Sequence, residues 1–462
     1  MTTTRRAFTQ GLLGAASLAP APLFAQNRAA STPSPKAVDL APRAVWPGGV
    51  QKPLMPYTPA ITAGGWLFVA GQLASDFKTG IDPAARSNDL AHPVRLGLQS
   101  KLVLSNLAET VAAAGLDMSK DTARIWQWYT SPLPTLAVFK KGDTSPQISA
   151  VPHLVEQDRV FKQPLPASTG IGIKELMVKD TLLEIELIGV ADGGTNVGFP
   201  ALSSQSSALG GRSSAVRRGD WVFLAADPAG PAGAATGKLR EQTDATLAKL
   251  AKMAEMAGSS LGRAVKAEVF IGDPSGFAEI DAAWAKWFPT NPPARIVVPY
   301  SGLSKKGSQV EIALTLLAND SNKRIETVST DKAPKAIGHV PQAIKAGNLL
   351  FLSQQLAVDE NGKVPESLTR HPSFPYYGQP ARQQMKYMLK NVAAICEAAG
   401  TSLSNVVRRA CFHDHGVHFA ESMDEWAAHF PQLKPVSTTI ILGGPLQAAG
   451  AHTLLDLIAY AP

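Results

Sequence analysis

The sequence predicts an α+β protein built from three tandem copies of one domain. Three short apolar segments, each containing an aromatic residue, recur along the chain, and an amphipathic helical stretch follows each of them. A glycine follows each helical stretch, at Gly115, Gly258 and Gly400, spaced 143 and 142 residues apart. Glycine ends helices because it enters the left-handed backbone conformation cheaply. The near-constant spacing indicates a repeated structural unit.

The predicted elements come in the same order in each repeat. A strand, a long helix and a second strand are predicted at 65–73, 98–114 and 122–129, at 220–227, 240–257 and 264–271, and at 348–356, 381–399 and 405–412. Each repeat closes with a strand, a turn and a strand, at 168–190, 295–318 and 437–460. A second helix is predicted in repeats two and three, at 276–288 and 417–430, where repeat one has a Pro-rich insert at 131–167. Helices that cover one face of a sheet give an α+β layer.

The segments between the repeats set the predicted domain boundaries. The three domains are expected at 50–193, 205–322 and 330–462, separated by polar linkers. Residues 26–49 begin with a stretch rich in Pro, Ala and Ser, which predicts a flexible lead-in.

The N-terminus has the pattern of an export signal. Arg5 and Arg6 precede a short apolar stretch and a run of small residues that ends at Ala25. This order is typical of a secretory signal, and the adjacent arginines resemble a twin-arginine signal. We therefore expect residues 1–25 to be removed, with cleavage after Ala21 as the alternative. The mature protein is expected in the periplasm, or secreted, after transient contact with the twin-arginine export machinery.

Composition excludes several classes of protein. The net charge of +7, from 44 basic and 37 acidic residues, is spread along the chain, so nucleic-acid binding is not expected. No apolar run beyond the N-terminus reaches the roughly 20 residues needed to span a membrane. Two cysteines, Cys396 and Cys411, are too few for a disulfide scaffold or a four-thiolate metal site. They allow one disulfide at most, and because both lie in apolar segments, buried free thiols are expected.

Several phrases of the three repeats match a known family. Repeat one contains Tyr-Thr-Pro-Ala-Ile at 57–61 and Leu-Phe-Val-Ala-Gly-Gln at 67–72. Repeat two contains Pro-Ala-Arg at 293–295 and Val-Glu-Ile at 310–312, and repeat three contains Gln-Ala-Ile-Lys-Ala-Gly from residue 342. In this order the phrases resemble the RidA (YjgF/YER057c/UK114) family of reactive-intermediate deaminases. The resemblance covers nearly the whole mature chain.

The resemblance implies a fold and an assembly. Members of that family are small single-repeat proteins that form trimers, with ligand sites in the clefts between neighbouring subunits. Three tandem copies therefore imply three RidA-like (chorismate-mutase-like) domains of a β-sheet and two helices, which form an intramolecular pseudo-trimeric barrel. Tethering the copies replaces association of separate chains by docking at high effective concentration.

The resemblance also implies a reaction, the hydrolysis of an enamine or imine to a 2-keto acid and ammonia. An arginine holds the substrate carboxylate and a glutamate orients or activates the attacking water. Arg295 and Glu311 match these positions, and a hairpin centred on Leu303 would place them across from each other on one sheet face. The alternative is a structural ion pair. No redox or nucleotide cofactor is implied.

The other two repeats depart from the catalytic pattern. Ser168 and Ser437 stand where the arginine belongs, and Leu454 replaces the glutamate of repeat three. Repeat one keeps the glutamate as Glu184. At most one junction between repeats is therefore expected to have a site of the family type.

A further set of residues is expected to bind the ligand. The family's ligand-contacting tyrosine is Tyr57 in repeat one, Arg212 in repeat two and Val340 in repeat three. Tyr57, Gly71, Glu184 and Arg212 are accordingly predicted ligand-binding residues. Which repeats adjoin at the site is left open by the sequence.

Histidines of repeat three suggest a competing site. His413 and His415 lie two residues apart at the end of a predicted strand, so both side chains can point to one side. With His418 or Asp414 they would make a three-ligand metal site. The alternative is a polar turn in which Asp414 starts a helix.

The sequence thus supports one leading function and two rivals. The leading prediction is an exported hydrolytic deaminase, or a related C–N hydrolase, that acts on a small molecule with a carboxylate. One rival is a protein that binds a carboxylate or aromatic ligand without turnover. The other is a metal-assisted hydrolase that uses the histidines of repeat three.

Overall fold

The structure, a computed structural model, describes most of the chain after residue 39. The described ranges are 40–48, 55–76, 78–90, 95–130, 150–162, 164–192, 194–200, 213–225, 237–303, 307–370, 373 and 378–462. The predicted signal at 1–25 and the lead-in up to residue 39 lie outside them.

The long strands and helices follow the same order in each repeat. Repeat one contains β1 (Arg43–Val45), β2 (Ala60–Ala63), β3 (Trp66–Leu73), α1 (Leu96–Ala113), α2 (Met118–Asp121), β4 (Thr122–Thr130), α3 (Val151–Val160), β5 (Ala167–Ile173), β6 (Glu175–Leu176) and β7 (Leu183–Val190). Repeat two contains β8 (Val197–Pro200), β9 (Ser213–Arg218), β10 (Trp221–Leu224), α4 (Leu239–Met256), β11 (Ala264–Ile271), α5 (Phe277–Trp287), β12 (Ala294–Pro299), β13 (Gly302–Leu303) and β14 (Val310–Leu317). Repeat three contains β15 (Ile325–Val328), β16 (Ala343–Ala346), β17 (Leu349–Leu352), α6 (Pro380–Ala398), β18 (Val406–His413), α7 (Phe419–His429), β19 (Val436–Ile441) and β20 (Thr453–Tyr460).

The strands form three mixed sheets. Their orders are β1-β2-β3-β7-β4-β5-β13, β12-β11-β14-β10-β9-β8, and β15-β16-β17-β20-β18-β19-β6. In every repeat the strands before and after the second helix, such as β4 and β5, pair in parallel, because a helical crossover connects them. The predicted hairpin of the last two long strands in each repeat is therefore wrong. Another strand lies between those two strands: β4 in repeat one, β11 in repeat two and β18 in repeat three.

Two strands cross from one repeat into the sheet of another. β13 of repeat two pairs with β5 of repeat one, and β6 of repeat one pairs with β19 of repeat three. The described strands nevertheless form three sheets and not one continuous ring, so the closed barrel expected from the resemblance is not shown.

The helices cover one face of each sheet, as predicted for an α+β protein. In repeat two, Leu247 and Leu250 of α4 and Trp284 of α5 pack on Ile312 of β14. Repeat one also has a helix in the insert at 131–167, α3, which the sequence did not predict and which corresponds to α5 and α7 of the other repeats. Proline is tolerated at its second residue, Pro152, because the first turn of a helix needs no N–H donor there.

The opposite faces of the three sheets share one apolar core. Trp66, Trp221 and Phe351 come from repeats one, two and three, and the ring centroid of Trp66 lies 4.8 Å from that of Trp221 and 6.0 Å from that of Phe351. Trp126 and Trp128 of repeat one are also buried there. Each repeat thus completes the core of the other two.

Six buried charges link the three repeats inside this core. A cation of each repeat pairs with an acid of another repeat: Arg124 with Glu268, Lys266 with Asp456, and Arg408 with Glu186 at 2.9 Å. We call these six residues the central ion network. Because the pairs run from repeat one to two, from two to three and from three to one, they form a closed cycle. Charge balance offsets the cost of burying each ion.

Two expectations about single features can be compared with this fold. Cys396 and Cys411 are buried free thiols, as expected. In the described part of the chain, no helix combines the length and the apolarity that crossing a membrane requires.

Candidate functional site

Neighbouring repeats meet at three junctions, and each places an edge strand of one repeat beside another repeat. We name each junction by the two repeats that form it. In the 1–2 junction, between repeats one and two, the edge strand is β5, which lies beside β9 of repeat two. In the 2–3 junction it is β12, beside Gln354 and residues 338–341 of repeat three. In the 3–1 junction it is β19, beside β3 of repeat one. The candidate residues are distributed among these junctions.

Arg295 is buried in the 2–3 junction and neutralised there. Its guanidinium donates to Asp281 of α5 at 2.5 Å and lies 4.9 Å from the ring centroid of Trp284. The side chain of Arg295 is 1% exposed. Burial lowers the pKa of Arg295, and the bond to Asp281 opposes that change. The arginine that the family motif selects therefore has a carboxylate partner already.

Repeat three fills the space around Arg295. Gln354 stands where repeat one has Gly71, and its side-chain carbonyl accepts a hydrogen bond from the Val297 N–H at 3.0 Å. The His339 N–H donates to Asp281 at 2.9 Å. Groups of repeat three thus occupy the space beside Arg295 and Asp281 in the 2–3 junction.

Glu311 lies away from Arg295, which corrects the predicted pairing. β11 separates their two strands, with Ala267 beside Arg295 and Phe270 beside Glu311. Ala267 faces the helices and Phe270 faces the shared core, so the two side chains point to opposite faces of the sheet. Glu311 instead neighbours Tyr300, whose pKa burial raises and the carboxylate raises further.

Three of the predicted ligand-binding residues come together in the 3–1 junction. A Cβ built on Gly71 would overlap the carboxylate of Glu184, so the glycine makes room for it. The Gly71 N–H donates to Thr438 Oγ1 at 3.1 Å. Burial raises the pKa of Tyr57, and nearby Glu184 raises it further. Tyr57, Gly71 and Glu184 thus face strand β19 of repeat three, and not Arg295.

A guanidinium lies on the other side of β19, although Ser437 replaces the family's arginine. It belongs to Arg409 of β18, which is the register partner of Ser437. Arg409 Nη2 donates to Ser437 Oγ at 2.6 Å and to Thr439 Oγ1 at 3.2 Å. The Arg409 side chain is buried, and burial lowers its pKa. Sequence comparison by strand position missed this residue.

Arg409 and Arg295 occupy equivalent places beside their helices. The Arg409 guanidinium lies 4.6 Å from the ring centroid of Trp426, which is the counterpart of Trp284 at the eighth position of the helix. Met423 replaces Asp281 at the fifth position, and its sulfur accepts from Arg409 at 3.0 Å. Among the described residues, no carboxylate pairs with Arg409. The 3–1 junction therefore holds a buried cation whose partners are hydroxyls and a thioether.

Thr439 of β19 lies between the Glu184 carboxylate and the Arg409 guanidinium. The backbone N–H of Thr439 donates to the Glu184 carboxylate, while Thr439 Oγ1 accepts from Arg409. Burial raises the pKa of Glu184 well above its usual value, and neighbouring Glu186 raises it further. In the described part of the chain, Glu184 Oε2 has no hydrogen-bond partner. The 3–1 junction thus holds a buried carboxyl group with a raised pKa and a buried guanidinium whose partners are neutral, and both contact Thr439.

In the 1–2 junction, uncharged side chains occupy the place that Arg295 and Arg409 occupy in the other two junctions. Ser168 donates to Gln127 at 3.2 Å, and Gln127 donates to Gln157 of α3 at 2.8 Å. Gln157 occupies the helix position of Trp284 and Trp426, the tryptophans that stack on arginine in the other two repeats. All three residues lie four positions before a phenylalanine at the end of the helix. Arg212, predicted to bind the ligand, lies outside the described residues.

The predicted histidine site is also rearranged. His413 is fully buried and bonds to Thr453 Oγ1 at 3.1 Å, and burial lowers its pKa to about 3. His415 caps the following turn by accepting from the Val417 N–H. Neither histidine joins His418, which instead contacts Asp414 and His452. Strand alternation failed here because the chain turns directly after His413.

Comparison with known proteins agrees with the repeat structure. The model of the Endoribonuclease L-PSP family matches residues 50–191, 203–317 and 330–443. The chain belongs to the RidA family. The predicted resemblance is confirmed, with three tandem copies in one polypeptide.

Individual relatives match one repeat at a time. A RutC family protein of Pyrococcus horikoshii is 32% identical over 116 residues, which are 25% of this chain and 82% of that protein. Reactive Intermediate Deaminase A of Arabidopsis thaliana chloroplasts is 33% identical over 125 residues, 27% of this chain and 61% of that protein. The RidA structure from the Antarctic bacterium Psychrobacter has 29% identity, covers 29% of this chain and 98% of its own, and has a TM-score of 0.25. A chorismatase structure with 11% identity covers 73% of this chain and 93% of its own, with a TM-score of 0.46.

Proposed function

We propose that this RidA-family protein hydrolyses an imine or enamine that carries a carboxylate, at the 3–1 junction. One observation carries the proposal. Within the described residues, only this junction combines a guanidinium that lacks a carboxylate partner with Tyr57, Gly71 and Glu184. The family includes a relative named for reactive-intermediate deamination, which supports the reaction class.

Arg409 is proposed to hold the substrate carboxylate. Its present acceptors are neutral oxygens and a sulfur, so a carboxylate would offer it a stronger, charge-assisted partner. Stacking on Trp426 fixes the plane of the guanidinium. In repeat two the same place is already satisfied by Asp281, which favours a structural role for Arg295 and catalysis at Arg409.

Glu184 is proposed to transfer the protons. Its raised pKa lets the carboxyl keep a proton, which it donates to the imine nitrogen. The carboxylate then accepts a proton as the water oxygen attacks the imine carbon. It returns that proton to the nitrogen, and it takes up the proton of the new hydroxyl group as the C–N bond breaks, ammonia leaves and the carbonyl forms. Each proton that Glu184 gives is regained, so the enzyme ends unchanged.

We also propose that one chain builds the pseudo-trimeric arrangement that the family makes from three subunits. The shared core and the cyclic central ion network support it. Divergence of the repeats then explains why the arginine that stacks on the helix tryptophan lacks a carboxylate partner in the 3–1 junction and pairs with Asp281 in the 2–3 junction, whereas glutamines occupy this place in the 1–2 junction. Repeats joined in this way are expected to unfold together.

Matched arginine variants test the proposed site. Arg409→Gln should reduce ammonia release from a freshly generated imino acid by at least about 100-fold, because a charge-assisted anchor is lost. Arg295→Gln removes an equally buried guanidinium that stacks on an equivalent tryptophan, and should leave the rate within about threefold. The reverse order would overturn the proposal.

A double variant keeps the test decisive if Arg409→Gln folds poorly. Arg409→Ala with Ser437→Arg recreates the Ala267 and Arg295 arrangement of repeat two, and returns the guanidinium to the family's strand position. We expect this double variant to recover most of the activity that Arg409→Ala loses. If Arg409→Ala alone were as active as the parent chain, the role of Arg409 would be wrong.

A binding protein without turnover is separated from an enzyme by Glu184→Gln. This variant should bind a 2-keto acid as tightly as the parent chain does, because Arg409 is intact, but should not release ammonia. Calorimetry and an ammonia assay measure the two properties. A parent chain that binds but never releases ammonia would favour the binding function.

Export remains a proposal that the N-terminal pattern supports. We propose that the twin-arginine signal at residues 1–25 sends the folded protein to the periplasm. Replacing Arg5 and Arg6 by lysine should retain the protein in the cytoplasm, since the arginine pair is the recognised feature. Fractionation of cells that express either form decides this, and equal periplasmic amounts would contradict it.

A further inference from the structure

A cluster of three metal-ligating side chains lies at one end of the repeat-three sheet, apart from the groups used in the proposed reaction. Asp414 and His418 belong to the turn between β18 and α7, and His452 directly precedes β20. The backbone joins the two segments, since the Asp414 N–H donates to the His452 carbonyl at 3.3 Å. The His452 N–H in turn donates to Gln384 of α6 at 2.9 Å. The three side chains are therefore held in place by elements of the fold.

The side-chain atoms of the cluster converge on one point. The two carboxylate oxygens of Asp414 lie 2.7 Å from His418 Nδ1 and 2.9 Å from His452 Nδ1. The imidazole rings are 3.9 Å apart and inclined by 34°. One ligand atom from each residue lies within 4.8 Å of the other two. The side chains are 18–22% exposed, so an ion can enter from solvent.

All three residues are additions of repeat three. At the equivalent positions repeat two has Gly272, Gly276 and Gln309, as the strand pairing and the helix starts align them. The capping role in this turn is taken by His415, at the position of the capping Asp273 of repeat two. The Asp414 carboxylate is therefore not needed to start the helix and is committed to the two imidazoles.

The chemistry of the set matches a transition metal. Two imidazole nitrogens and one carboxylate oxygen are ligands that Zn²⁺ takes at about 2.0–2.2 Å, and three protein ligands leave a position open for water or a ligand.

We propose that Asp414, His418 and His452 form a binding site for a divalent first-row transition ion such as Zn²⁺. The ion would take the place between the carboxylate and the two Nδ1 atoms, with the ring protons moving to Nε2. The site is independent of the proposed deamination, which uses Arg409 and Glu184.

Zn²⁺ alone is the probe for this site. The full chain, purified without a histidine tag and treated with chelator, should bind about one Zn²⁺ per chain in calorimetry. His452→Ala and Asp414→Asn should each weaken that binding by at least about tenfold. His429→Ala, which changes a histidine of α7 outside the cluster, should bind as the parent chain does.

Two further readouts do not depend on affinity alone. Co²⁺ bound by these nitrogen and oxygen ligands should give visible absorption bands that His418→Ala abolishes. Zn²⁺ should raise the melting temperature of the parent chain and not that of His452→Ala, because only a folded site gains from the ion. A stoichiometry near zero, equal affinity in His452→Ala, or equal loss in His429→Ala would each overturn the proposal.

Discussion

Arg409 and Arg295 show how a charge partner decides the role of a buried guanidinium. Both stack on a tryptophan at the same helix position, at 4.6 and 4.9 Å. Asp281 neutralises Arg295, whereas Met423 leaves Arg409 with neutral acceptors. An uncompensated buried cation costs free energy that an anionic ligand can recover. This cost favours Arg409 as the group that binds the substrate carboxylate.

At the residue scale, Glu184 sets a pH dependence of stability. Its pKa is raised in the folded chain, chiefly by burial. Below the pKa of an unfolded glutamate, about 4.3, both states are protonated; above it the unfolded state ionises first, so folding loses stability as pH rises. Glu184→Gln should therefore gain stability over the parent chain at pH 8 compared with pH 4. The gain is about 1.4 kcal/mol for every tenfold difference in proton affinity between the folded and unfolded states.

Urea unfolding of both chains at the two pH values measures this difference. Glu255→Gln, at an exposed position of α4, provides the control and should show no change with pH. If the stability difference for Glu184→Gln were the same at pH 4 and pH 8, the raised pKa would be contradicted. We expect Glu184→Gln to lose activity and gain stability, because a residue kept for function can lower the stability of the fold.

The family motif located Arg295, Tyr57, Gly71 and Glu184 from the sequence, but not Arg409. Motif comparison follows positions along one strand, and Arg409 supplies its guanidinium from the neighbouring strand. Finding it requires the parallel register that sets Arg409 beside Ser437. The sequence signal was available, because repeat two has the small Ala267 where repeat three has this arginine.

At the element scale, the order of strands and helices followed from the repeat, whereas the pairing of the strands did not. Hydrophobic spacing shows where a strand lies but not which strand is its neighbour. The short turn-like segment around Leu303 suggested a hairpin of β12 and β14, yet β11 occupies the position between them. The faces of Arg295 and Glu311 were mispredicted for that reason. The domain boundaries at 50–193, 205–322 and 330–462 stay predictions.

Gly71 of strand β3 allows a prediction about both stability and activity. A Cβ there would overlap Glu184, so Gly71→Ala should cost about 1–3 kcal/mol of stability and abolish ammonia release. Gly97→Ala in helix α1 has ordinary space around the new methyl group, and should stabilise the chain by about 0.5–1 kcal/mol without loss of activity. Chemical denaturation and the ammonia assay compare them. Full activity of Gly71→Ala would contradict the site.

At the scale of the whole molecule, the central ion network links the three repeats, and we expect them to unfold as one cooperative unit. Arg408→Met leaves the buried carboxylates Glu186 and Asp456 without a partner that each meets at 2.9 Å, and should cost about 3–5 kcal/mol. Arg382→Met breaks an exposed pair with Asp424 at 2.8 Å and should cost less than about 1 kcal/mol.

Denaturant unfolding monitored by tryptophan fluorescence measures both variants. A single transition, shifted strongly by Arg408→Met and little by Arg382→Met, is the expected result for repeats that share one core. Separate transitions for individual repeats, with only one of them shifted, would contradict the pseudo-trimeric arrangement.

The most direct measurement is a crystal structure of the chain with a bound 2-keto acid, the class of product that the reaction releases. We expect the carboxylate against Arg409 in the 3–1 junction, with the carbonyl carbon facing Glu184 and Tyr57. A carboxylate seated on Arg295 in the 2–3 junction, with the 3–1 junction unoccupied, would contradict the proposed site.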